Sequence, residues 1–304
     1  MHIIKINNMK LPDFTSDYIN SLRMGNPFFE GNILFVPLHS NNTGDSFNLL
    51  DDSIDAGTLL IEDSNEVGSV LLSYNNRNPL FVMDGEEIIG ARQNRIFNTS
   101  FTVENEDKLS VPVTCVEEGR WSGGKNFSTG RICAHPAIRA ITSASITKNL
   151  STNHSFMSDQ SSVWKEVRKT LMKTKTHSKT LSMHEAFESS RELFDVDFVP
   201  GNDVVGIIGY TGKGPLAIDI FYSPALFKKL SKKLIKSYLF GTIGIRGRFP
   251  KIDGFFDKLR GNMEWEKFNG IGDGVEYRTI GDKITGKVLV KENKTLHISF
   301  FSLK

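Results

Sequence analysis

The chain has 304 residues, 39% hydrophobic and 24% charged, and its 37 basic and 35 acidic residues leave a net charge of +2. That length can bury a sizeable core, and that composition argues against disordered and fibrous classes. So balanced a charge gives no field for holding nucleic acid, and no run approaches the ~20 apolar residues that span a bilayer.

The opening, Met1 to Lys10, mixes polar and apolar residues and lacks the apolar centre of a secretory leader. The expected compartment is therefore the cytoplasm, with Cys115 and Cys133 reduced. A helix is expected over Asp13–Arg23, where Phe14, Tyr18 and Leu22 recur every fourth residue, and Gly25-Asn26-Pro27 stops it. Ile33–Leu38 reads as a buried strand, Asn41–Ser46 as a polar loop, and Phe47–Ala56 as a short helix closed by Gly57. Short β runs follow at Thr58–Glu62, Ser69–Tyr74, Leu80–Met83, Arg95–Val103 and Leu109–Val116, separated by turn residues. Pro112 marks an edge or a bulge.

From Trp121 to Ser158 the glycines and the Ser- and Thr-rich run read as a long irregular crossing. Ser161–Met172 is an amphipathic helix, with Trp164, Val167 and Leu171 inward and Lys165, Glu166 and Arg168 outward. Another helix is expected over His184–Phe194. Val204–Tyr210 and Leu216–Phe221 form a hairpin. Ser223-Pro224 then starts a helix with a stripe of Leu226, Phe227, Leu230, Leu234 and Tyr238. Val288–Val290 and Leu296–Phe301 look like a terminal hairpin. The expectation is an α+β protein, an antiparallel β-rich sandwich or barrel-like sheet flanked by a few helices. It forms one domain over 1–304, with a β-rich part at 28–121, an irregular crossing at 122–158 and an α/β part at 159–304.

Several motifs fail on spacing. Gly206 to Lys213 lacks the hydroxyl that a phosphate loop places after its lysine, because Gly214 and Pro215 follow. His184-Glu185 begins like a zinc-protease helix, but Glu188 stands where the second histidine belongs. Asp45-Ser46-Phe47 lacks the other ligands of a calcium loop. The lysines from Lys228 to Lys236 read as a solvated helix face. No metal ligand set emerges, and no cofactor can be named.

The chemically loaded segment is Asp84 to Trp121. Gln93-Asn94-Arg95 and Glu117-Glu118-Gly119-Arg120-Trp121 lie at two ends of one β meander, so the pairing of its strands brings them together. Arg95 and Arg120 suit an anion, Gln93 and Asn94 suit hydroxyl or amide edges, and Trp121 suits a stacked base. Glu86, Glu87 and Glu117 are the acid–base candidates, and Glu118 joins the ligand-binding set. Against this stands a plain alternative, in which Glu117 and Arg95 are a cross-strand ion pair and Trp121 is a core or rim residue. Cys115, in an alternating strand, reads as a small buried residue.

The stretches Gly85-Glu86-Glu87-Ile88-Ile89-Gly90-Ala91-Arg92-Gln93-Asn94-Arg95 and Val111 to Trp121 resemble the ARG and rhodanese-phosphatase-superfamily-associated protein domain family, in which ARG stands for ADP-ribosylglycohydrolase. The similarity extends to Pro37-Leu38, Ala56-Gly57, Gly68-Ser69-Val70, Gln160 to Trp164 and Asp219 to Pro224. The stretch Thr142 to Ser158 departs from the family pattern. The resemblance implies a small phosphorylated ligand, a nucleotide or an ADP-ribose derivative, bound or hydrolysed at Gln93, Asn94, Arg95, Glu117, Arg120 and Trp121. The other reading is a non-catalytic module that senses a ligand or docks a partner. A structural scaffold is the third.

Overall fold

The computed structural model describes residues 6–44, 46–194, 196–245, 247, 248, 252, 254–261 and 263–303. Asp45, of the calcium-loop reading, and Met1 to Lys5, of the leader reading, lie outside them. The chain forms two compact units. One comprises Met1–Ser46, Val196–Gly270 and Gly274–Lys304, and the other comprises Phe47–Asp195 with Ile271–Asp273.

The first unit is built on an antiparallel sheet with ten strands among the described residues. Its order is Ile6–Met9, Trp265–Asn269, Val275–Ile280, Ile284–Lys291, Lys294–Ser302, Gly214–Phe221, Val204–Thr211, Ile33–His39 and Arg23–Met24, with Phe28–Glu30 also pairing on Ile33–His39. The expected hairpin of Val204 to Phe221 is present, and its turn is Gly212-Lys213. Every residue of Val204–Thr211 is buried, because the helix Pro224–Gly241 packs on it. Leu226, Phe227, Leu230, Leu234 and Tyr238 of that helix are all buried, as the periodicity predicts. Lys228, Lys229 and Lys232 on its other side are exposed.

The Ser223 hydroxyl accepts a hydrogen bond from Leu226 N at 3.3 Å, with proline next in line to open the helix. Ser223→Ala removes that cap and is expected to lower stability by about 1 kcal/mol in denaturant titrations.

The second unit holds a six-stranded antiparallel sheet in the order Phe127–Cys133, Glu86–Gly90, Arg95–Phe97, Glu106–Cys115, Ser69–Tyr74 and Leu59–Asp63. A smaller sheet pairs Phe101–Val103 with Leu80–Val82, and the latter with Asn48–Leu49 in parallel. Leu59, Ile61, Val70, Leu72, Ile88, Phe97, Phe101 and Val111 are among the side chains of its core.

Besides the helix expected over Phe47–Ala56, which is the strand Asn48–Leu49 followed by the helix Leu50–Asp55, three expectations change here. The run Arg95–Val103 is two strands in different sheets. It breaks at Asn98–Ser100, where polar side chains take up bonds outside the ladder. Asn98 Nδ2 donates to Phe156 O at 2.9 Å, and Ser100 Oγ donates to Asp84 Oδ1 at 2.9 Å.

The crossing at 122–158 is not irregular. It contains the strand Phe127–Cys133 and the 18-residue helix Pro136–Asn153. This helix carries no clean apolar stripe, since Arg139, Thr142, Ser143 and Thr147 are buried beside Ile138, Ile146 and Leu150. Its hydroxyls donate back to the preceding turn, Thr142 to Ile138 O, Ser145 to Ile141 O and Thr147 to Ser143 O. Each hydroxyl thereby finds an acceptor without disturbing the helix much.

The third change concerns the helix Gln160–Thr174, where Glu166 is buried and its carboxylate accepts from Lys169 Nζ at 2.9 Å. No helix among the described residues is long and apolar enough to cross a membrane.

Candidate functional site

The Asp84–Gly85 turn is fixed from both sides. Glu86, fully buried, accepts from Met83 N at 2.8 Å and closes the turn. Asp84 receives Arg139 Nε at 3.0 Å and Nη2 at 3.1 Å, in an ion pair with both side chains out of water. Gly85 has φ +83°, and a β-carbon there would lie 2.9 Å from the Arg139 stem and 3.1 Å from Cys133 Sγ. Only glycine fits this turn.

Alternation along the strand Glu86–Gly90 then sends Glu87 to the opposite face from Glu86. Glu87 is wholly buried, and its Oε2 lies 2.7 Å from His184 Nδ1. The approach depends on Gly130 in the neighbouring strand, where a β-carbon would come within 2.7 Å of Glu87 Oε2.

His184 is held in place by the segment before it. Gly119 N donates to Thr180 O at 2.8 Å, and Met183 N donates to Val116 O at 2.9 Å. Leu181 between them adopts φ +53°, a costly conformation for leucine. Ser182 then caps the helix Met183–Ser189, and His184 stands in its first turn. The imidazole is 23% exposed, and among the described residues its Nε2 has no hydrogen-bond partner. Glu87 Oε1 is buried and also without one. Burial pushes the Glu87 carboxyl up from 4.5. The hydrogen bond to Glu87 pushes His184 up from 6.5.

Both folded values lie above the unfolded ones, so folding takes up protons and stability falls as pH rises. The His184 contribution is whole below about 6.5 and is lost as pH climbs through its raised value; Glu87 acts with the same sign from about 4.5 upward. Denaturant titrations between pH 6 and 9 should show this decline, and Glu87→Gln should flatten it.

Gln93–Arg95 and Glu117–Arg120 are brought together, as their place in the meander predicts. Gln93 Nε2 donates to Glu117 O at 2.7 Å, and Asn94 N donates to Glu117 Oε2 at 3.0 Å. Arg120 forks the same carboxylate, Nε to Oε1 at 3.0 Å and Nη2 to Oε2 at 2.8 Å. It also donates to Ala91 O at 2.6 Å, Ser122 O at 3.0 Å, Gly90 O at 3.1 Å and Asn94 Oδ1 at 3.0 Å. Burial works against charge on Glu117, but Arg120 and Asn94 N hold its carboxyl below the usual range.

Arg95 donates to Ser69 O at 2.7 Å and Glu66 O at 3.3 Å, and its Nη2 lies 3.5 Å from Asp63 Oδ2. Its guanidinium sits 5.5 Å from the Phe127 ring centroid. Glu118 pairs with Arg168. Trp121 is 56% exposed.

The residues expected to bind ligand thus form a brace. The anion clamp expected of Arg95 and Arg120 does not fit, because their donors are spent chiefly on main-chain oxygens and carboxylates of the protein. The expected alternative pairing of Glu117 with Arg95 is also replaced, by Glu117 with Arg120 and Arg95 with Asp63. Of the three acid–base candidates, Glu86 serves a turn and Glu117 is locked as an anion. Glu87 faces an imidazole, His184.

His184 was absent from the residues expected in the site. The zinc-helix pattern that drew attention to it pointed to the wrong chemistry, and its partner lies 97 positions away.

Residues 21–301 match the sequence pattern of the ARG and Rhodanese-Phosphatase-superfamily-associated Protein domain. No curated protein and no solved structure matches the chain.

Proposed function

Because the chain belongs to the ARG and Rhodanese-Phosphatase-superfamily-associated Protein domain family, we propose that Glu87 and His184 are the acid–base centre of a hydrolase acting on a phosphorylated small molecule. The ligand class we propose is a nucleotide or an ADP-ribose derivative.

The observation that carries this reading is the pair itself. A buried carboxylate holds Nδ1 of a partly exposed imidazole, and among the described residues Nε2 has no protein partner. With Nδ1–H donated to Glu87, Nε2 takes a proton from the water that attacks the phosphorylated ligand, and as the bond to the leaving group breaks the imidazolium, stabilised by Glu87, passes that proton to it. The brace of Gln93, Asn94, Glu117 and Arg120 holds the Gly90–Asn94 turn rigid. Trp121, exposed beside the brace, offers a face for a base.

A second reading, a ligand-sensing module, draws on the same brace, which stiffens a site without moving protons. Thermal shift against NAD, ADP-ribose and cyclic nucleotides tests the ligand class for both. A raised melting temperature with at least one of them is expected. No shift with any of them would remove this ligand class from either reading.

A further inference from the structure

A concave surface in the same unit is lined by residues that include neither Glu87 nor His184. A groove of about 770 Å³ runs along the outer face of the helix Gln160–Thr174 and the segment that follows it. Its apolar lining residues are Leu171, Met172 and Leu181, and Met172 is 71% exposed. Lys165, Arg168, Lys169 and Lys175 stand around it, and none of its described lining residues is acidic.

Lysines in the last turn of a helix are accounted for by the helix dipole. Arg168 and Lys169 are paired with Glu118 and Glu166, whereas Lys165 lies well before that turn and the dipole does not explain it. The surface already accepts one carboxylate, since Arg168 is paired with Glu118. An exposed methionine in an apolar lining adapts to varied side chains, and the lysine stems extend that lining while their charges stay at the rim.

We propose that this groove docks an acidic, amphipathic helical segment of a partner protein, with apolar side chains on Met172 and Leu181 and carboxylates on Lys165 and Lys175. A lipid surface is the competing occupant, and the vesicle arm of the test decides for or against it. The inference does not depend on the acid–base reading.

The test uses the full chain and a fluorescein-labelled synthetic peptide with leucines at helical spacing and glutamates between them, followed by anisotropy. Saturable binding is expected, weakened roughly tenfold or more by Met172→Glu and by Lys165→Glu with Lys175→Glu, and weakened by salt. Both variants change exposed residues, and circular dichroism checks that they fold. The same peptide with lysine in place of glutamate should not bind. Equal binding by the charge-reversed variant, no binding of the acidic peptide, or preferential binding to vesicles of phosphatidylcholine and phosphatidylserine would each overturn the proposal.

Discussion

Arg139→Ala is expected to destabilise the protein by about 3–5 kcal/mol, because it removes the guanidinium that faces the buried Asp84 carboxylate. Both partners are almost fully out of water, and the two hydrogen bonds between them are 3.0 and 3.1 Å long. The loss comes mainly from the buried charge left without that guanidinium, so removing both charges should cost much less than the two single changes together. Asp84→Leu combined with Arg139→Met tests this, since methionine keeps the stem that packs on Gly85. A coupling energy well above the ~0.5 kcal/mol expected of independent sites is the predicted outcome of the double-mutant cycle. Additive losses would show that the pair does not act as a unit.

His184→Asn is expected to abolish turnover of the phosphorylated ligand by roughly 10²–10⁴-fold while leaving its affinity nearly unchanged. The asparagine amide can replace Nδ1–H as donor to Glu87 but offers no base in place of Nε2. Glu87→Gln should give a loss of the same order, because it no longer orients or charges the imidazole. Glu117→Gln differs in kind. It loosens the fork of Arg120, and its effect should appear in stability and ligand affinity together, with a smaller loss of turnover. Kinetics and calorimetry on the three variants separate these outcomes. Affinity without turnover in the unaltered protein would favour the sensing module.

Much of the fold is legible in the residues. The stripe from Leu226 to Tyr238, the Ser223-Pro224 start and the hairpin at Gly212-Lys213 all stand where local patterns place them, since each rests on short-range chemistry. The helix Pro136–Asn153 was hidden because its buried side includes arginine and hydroxyl side chains, which periodicity reads as surface. The strand break at Asn98 was hidden because the flanking residues, Arg95–Phe97 and Phe101–Val103, are all buried and look continuous.

In the site, the meeting of Gln93–Arg95 with Glu117–Arg120 followed from strand pairing. The roles of the two arginines did not, because their acceptors include backbone oxygens of Gly90, Ala91, Glu66 and Ser69. A sequence shows that a guanidinium is present but not what occupies it. Glu87 with His184 and Asp84 with Arg139 are long-range pairs of residues whose local surroundings announce nothing.

The role given to His184 can be tested directly by NMR titration of its imidazole resonances, with and without ADP-ribose. An ionisation above 6.5 that falls in Glu87→Gln, and ring resonances that move on adding ADP-ribose, are predicted. A ring that titrates alike in both proteins and ignores the ligand would contradict the acid–base site.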